Sequence, residues 1–157
     1  MNLLYAAHVL TALVFLGPIT LSTSSFHTRA YAAHQGDAKA LGAAQMMYRV
    51  TKVYGWLSLL VPAIGVAAWI FAYPDLMKNG VYHTSILLSV VAWALLLVVI
   101  LPRQRQMLAA LGGLDEEESD KPVAPIANWE KAKGQLSMFG GIFNALWFIV
   151  ALLMIIF

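Results

Sequence analysis

Charge is missing where it would matter most. Residues 2–24, 53–73, 82–102 and 135–157 form four apolar runs that contain no Asp, Glu, Lys or Arg. Ionisable side chains inside a bilayer are costly and are kept for pumps, proton relays and ion pathways. Their absence, in four short runs without a clear inverted repeat, argues against a small transporter. Only His8 and His83 remain as ionisable candidates within the runs. Cysteine is absent as well. That excludes disulfides, thiolate metal sites and cysteine nucleophiles, leaving His, Met and oxygen atoms for any metal chemistry. Net charge is only +2, split between two loops, which is too little for nucleic-acid binding. The start, Met1, Asn2, Leu3, Leu4, lacks the basic region of a secretory signal, so the first run is expected to be retained.

What fills the chain instead is hydrocarbon: 61% of its 157 residues are hydrophobic and 11% charged, leaving no room for a separate soluble catalytic domain. A helix needs about 20 apolar residues to cross a hydrocarbon core about 30 Å thick, and each run meets that length. The expected fold is therefore all-α, a single integral membrane four-helix bundle over residues 1–157. The loops at 25–52 and 103–134 carry Arg29, Lys39, Arg49, Lys52, Arg103, Arg105, Lys121, Lys131 and Lys133. Basic loops stay in the cytoplasm, so both loops are assigned there and both termini outside, in a bacterial inner or plasma membrane. Trp56, Trp69, Tyr73, Tyr82 and Trp147 supply candidates for interfacial aromatic belts.

Local signals refine the helices. Pro18 and Pro62 are expected to kink spans one and two. Gly36 and Asp37 read as a break and an N-cap, so spans one and two should project as paired helices into the cytoplasm. Their Ala-rich surface, with Met46 and Met47, suits a protein partner. Span three should continue to a stop at Gly112 and Gly113, and Asn128 should cap the last helix. Between them the acidic stretch from Asp115 to Asp120, with Lys121, Pro122, Val123, Ala124 and Pro125 after it, reads as an exposed, extended linker.

Helices in lipid associate through close packing at small residues and a few polar contacts. Ser137, Gly141 and Ala145 form a stripe four residues apart on span four, with Gly140 beside it. Asn144 must find a partner within the bundle. Ser85 and Ser89 on span three, and Ala63 and Ala67 on span two, repeat the pattern. The hydroxyl run Thr20, Ser22, Thr23, Ser24, Ser25 can either satisfy the backbone locally or line a small wet cavity. His8 and His83 should lie at similar depth on the outer side, as two axial ligands of haem b or a copper or quinol site would. Each can equally serve structure, His8 on a neighbouring carbonyl and His83 at the interface. His27 and His34, seven apart, can share a helix face, with no third metal ligand evident.

The segment Leu3, Leu4, Tyr5, Ala6, Ala7, His8, Val9, Leu10, followed by Phe15, Leu16, Gly17, Pro18, resembles the opening of small bacterial four-helix membrane proteins. Among them are the family catalogued as domain of unknown function 2269, to which the likeness is closest, the copper-resistance-D-like membrane domain and the haem-containing four-helix protoporphyrinogen oxidases. The resemblance covers the span organisation and, residue by residue, His8 and Gly17. It implies a haem axial ligand at His8. The oxidases keep basic residues near their site whereas these spans have none, so that activity is not carried over. Two readings follow. One is a non-catalytic accessory subunit of a larger membrane complex, such as a respiratory assembly, or of a homo-oligomer in the lipid bilayer. The other is a haem- or copper-binding electron-transfer or sensing protein using His8 and His83.

Overall fold

A computed structural model describes residues 2–157. It is all-helical, with no strand among the described residues. Four helical stretches are long and apolar enough to cross a membrane: Leu3–His34, Ala38–Ala72, Gly80–Ala110 and Trp129–Ile156. Their 28 to 35 residues correspond to about 42–52 Å, so each exceeds a hydrocarbon core of about 30 Å by two or more turns. The surplus lies mainly where the sequence places it, in α1 (Leu3–His34) and α2 (Ala38–Leu57) beyond the apolar runs. There Phe26 and Ala30 are buried, as are Ala40, Ala44 and Tyr48.

The connection between these two helices follows from two residues. Gly36 takes φ 104°, the left-handed conformation that a side chain would resist. Its N–H bonds Ala33 O at 3.0 Å and the Asp37 N–H bonds Ala32 O at 3.1 Å, closing a Schellman turn. The Asp37 carboxylate at once accepts from Lys39 N and Ala40 N, starting α2. Gly112 (φ 67°) ends the third stretch in the same way, with Gly113 N on Leu108 O at 2.8 Å. Asn2, Asn79 and Asn128 cap the other long helices through their side-chain oxygens.

Prolines act unequally. α1 runs through Pro18 without a break. Pro62 has no N–H, and the second stretch is interrupted at Ser58 and Leu59 before α3 (Leu60–Ala72) begins. Leu59 N turns to Trp56 O, which frees the Gly55 carbonyl. Ser58 Oγ donates to it at 2.7 Å and Trp93 Nε1, from α4 (Gly80–Ala94), at 3.2 Å. A second distortion precedes Pro102: Leu95–Ile100 is π-helical, with Leu101 N bonded to Leu96 O, before α5 (Leu101–Ala110) resumes. A wider turn lets the chain accommodate a proline that an undistorted helix would exclude.

The acidic part of the connection is not extended, whereas residues 121–125 beyond it form no helix. Residues Glu116–Ser119 form a single turn, α6, and the whole connection is strapped to the helices beneath it. Gln45 Nε2 donates to Gly113 O, Arg49 pairs with Asp115 at 2.9 Å, and Lys52 pairs with Glu118, which also accepts from Tyr48 Oη. Arg105 donates to Glu118 O and Lys121 O. Leu114 and Ile126 pack on the hydrophobic core below. Asp115 and Glu118 find these partners because the surplus lengths of α2 and α5 bring Arg49, Lys52 and Arg105 alongside them, while Glu116, Glu117 and Asp120 stay exposed.

Candidate functional site

Helix α1 is central: it packs on α2, α3 and α7 (Trp129–Ile156), while α4 packs on α7. Polar side chains within the apolar zone are spent along these seams. Ser22 and Thr51 share a hydrogen bond of 2.8 Å between α1 and α2, both buried. Asn144 on α7 donates to Ser24 Oγ at 2.9 Å and accepts from Thr23 at 3.3 Å. The hydroxyl run serves the backbone and the two seams: Thr20 donates to Leu16 O, Ser22 and Thr23 to Ile19 O. Ser85 and Ser89 are buried and donate to Val81 O and Ser85 O in their own helix, leaving a compact face on α4.

The close approach on α7 lies one residue from the expected stripe. A Cβ on Gly140 would sit 2.6 Å from the Thr23 carbonyl oxygen, so only glycine permits the α1 backbone to come this near. Ser137, Gly141 and Ala145 are exposed, and nothing lies within 4 Å of a Cβ at Gly141. The 3.6-residue turn puts 140, 143 and 147 inward, with Phe143 and Trp147 buried at a ring separation of 6.3 Å, and turns the stripe outward. Trp147 is accordingly a core residue and not part of a belt. On α3, Gly65 makes the close contact rather than Ala63, which is exposed, or Ala67.

Both candidate ligands have local partners. His8 Nδ1 lies 2.9 Å from Val61 O, and its ring packs so closely on Gly65 that a Cβ there would be 2.8 Å from Cε1. His83 Nδ1 lies 3.2 Å from Asn79 O and its ring meets the edge of Trp69 at 4.9 Å. A carbonyl can only accept, so the proton of each contact is on Nδ1, and Nε2 is the ring nitrogen turned away from the carbonyl. Trp69 also stacks near Tyr82 at 6.3 Å, gathering the aromatic residues of this end.

The opposite end carries a pocket of about 350 Å³ between α1 and α7, lined by His27, Tyr31, Glu130, Lys133, Gly134 and Ser137. Lys133 Nζ sits over the Tyr31 ring at 4.7 Å, and Tyr31 Oη reaches Glu130 at 3.5 Å. His27 Nδ1 is buried without a hydrogen-bond partner. Burial first, then the nearby Lys133, lowers the His27 pKa from 6.5, which keeps the ring neutral. His34 shares that face of α1 but stacks on Trp129 at 4.2 Å and 10°. No cluster of three His, Cys, Asp or Glu suited to a metal occurs among the described residues. A second pocket, about 580 Å³, lies under the strap, lined among others by Lys52, Arg105 and Glu118. Sequence reasoning missed the α1–α7 pocket; the signal lay in Glu130 and Lys133, three apart on one helix face, opposite His27 and Tyr31.

No match emerges. Comparison of the chain with protein-family models, with curated proteins and with solved structures finds nothing similar. The residues themselves must carry the functional argument.

Proposed function

We propose that this chain is a non-catalytic accessory or assembly subunit of a larger bacterial membrane complex, a respiratory electron-transport complex being one fitting host. In this reading it is a four-helix bundle with both termini outside and the basic loops in the cytoplasm, where the positive-inside bias directs them. One observation carries the proposal. Ser137, Gly141 and Ala145 face outward with open space over Gly141, and such a furrow admits a helix backbone from another subunit. Purification from the native membrane in mild detergent tests it. The protein is expected to travel with a larger complex, and Gly141→Leu is expected to release it without altering its own fold. Migration alone, or unchanged association of the variant, defeats the reading.

A second reading draws on the histidines. Nδ1 donation to a carbonyl is the arrangement that orients an imidazole for ligation through Nε2, and both His8 and His83 have it. A haem b protein, similar to the haem-bearing proteins that the opening segment resembles, would show a Soret band lost in His8→Ala. Colourless protein after haem supplementation removes this alternative.

A further inference from the structure

The pocket between α1 and α7 has a composition that the subunit reading does not use. Its two charges are of opposite sign and lie one turn apart on α7, at Glu130 and Lys133. Side chains so placed often pair with each other, yet the ion pairs among the described residues are Arg49 with Asp115 and Lys52 with Glu118. The Lys133 ammonium rests on Tyr31 instead, and the Glu130 carboxylate has only the long contact from the same phenol. Beside them His27 Nδ1 is a buried polar atom with nothing to bond. A buried polar nitrogen without a partner is costly, and a ligand is one remedy.

Position narrows the ligand. The apolar run of α7 begins at residue 135 and that of α1 ends at 24, so residues 27, 31, 130 and 133 stand at the level where lipid headgroups begin. Gly134 and Ser137 leave the side of the pocket low, open toward the apolar part of the helix.

We propose that this pocket binds the headgroup of a zwitterionic phospholipid carrying a primary ammonium, phosphatidylethanolamine in type. The phosphate lies against Lys133, with the Tyr31 and Ser137 hydroxyls within its reach. The lipid ammonium lies against Glu130. One charge of each sign on the protein meets one of each sign on the ligand, a complementarity that neither a purely anionic headgroup nor a quaternary choline, which lacks N–H donors for the carboxylate, reproduces. The orphaned His27 nitrogen gains a polar neighbour. The site shares Ser137 with the Gly141 stripe, while Glu130 and Lys133, which carry the headgroup recognition, lie outside it.

The test uses full-length protein reconstituted with defined lipids and read by native mass spectrometry after release from nanodiscs of phosphatidylethanolamine, phosphatidylcholine or phosphatidylglycerol. Retained phosphatidylethanolamine is expected to exceed the other two by about fivefold, the ratio that about 1 kcal/mol gives, from a hydrogen bond to Glu130 that choline lacks and from a cationic charge that phosphatidylglycerol lacks. Glu130→Gln should erase the preference over phosphatidylcholine, and Lys133→Met should lower retention of both. Gly134→Leu supplies a variant with open space around the new side chain, so it should keep the helical signal and still expel the lipid. Equal retention of the three lipids, a preference for phosphatidylglycerol, or wild-type retention in Gly134→Leu overturns the proposal.

Discussion

Two adjacent glycines on α7 have opposite duties. Gly140 touches the Thr23 carbonyl, and any side chain there forces α1 and α7 apart. Overfilling a tight seam typically costs about 1–3 kcal/mol, so Gly140→Ala is expected to lose that much in a denaturing-detergent titration. Gly141→Ala, in open space, should stay within about 0.5 kcal/mol of wild type in the same titration. Asn144→Ala removes the contacts to Ser24 and Thr23 and should cost about 1 kcal/mol, near the usual value for a polar contact between membrane helices. The sequence made the small-residue pattern and the need of Asn144 for a partner legible. Which of two neighbouring glycines faces inward was not, because a one-residue shift rotates a position by about 100° and no charge marks the lipid side of span four.

At the scale of elements, distortions are answered by neighbours. The break ahead of Pro62 turns Leu59 N away from the Gly55 carbonyl, and Trp93 on another helix supplies its indole N–H. The two residues should therefore be coupled. Trp93→Phe is expected to cost about 1 kcal/mol in the native background. The cost of its lost hydrogen bond should largely vanish in Pro62→Ala, where Leu59 can reclaim the carbonyl; a double-mutant cycle measures the difference. The strap offers a second case. Tyr48 precedes the apolar run of its span, and burial, followed by Glu118, pushes its pKa from 10.0 up to about 12. An acid whose folded pKa is raised contributes its full stability below pH 10 and loses it as pH climbs toward 12. Wild type should thus weaken more steeply than Tyr48→Phe across that window, as read by unfolding at stepped pH. Caps and stops were plain in the sequence at Gly36, Asp37, Gly112 and Asn128, since their signals are local. The strap was not, because Arg105 binds backbone carbonyls more than ten residues away, and the π-helical turn before Pro102 depends on how the third stretch packs.

For the molecule as a whole, four apolar stretches set the class, and they were read correctly from length and absent charge. The orientation proposed from the basic residues is open to direct measurement. A cysteine at Glu116→Cys should resist an impermeant thiol reagent applied to intact cells, while one at Met77→Cys, in the short turn between spans two and three, should react. Reversed labelling would invert the topology. The two ends of the molecule also differ in chemistry. One gathers His83, Trp69 and Tyr82, and the other gathers the strap and the paired charges of α1 and α7. A sequence scan sees these residues dispersed over more than a hundred positions; antiparallel packing collects them.

The turn at Gly36 bears on how the protein is made. It closes within Gln35 and Gly36, and the seams from Ser22 to Thr51 and from His8 to Val61 both join residues on either side of it. Those partners emerge from the ribosome in immediate succession and need no later segment to meet. The first half of the chain can enter the bilayer already zipped as a hairpin, giving the second half a finished wall to assemble against.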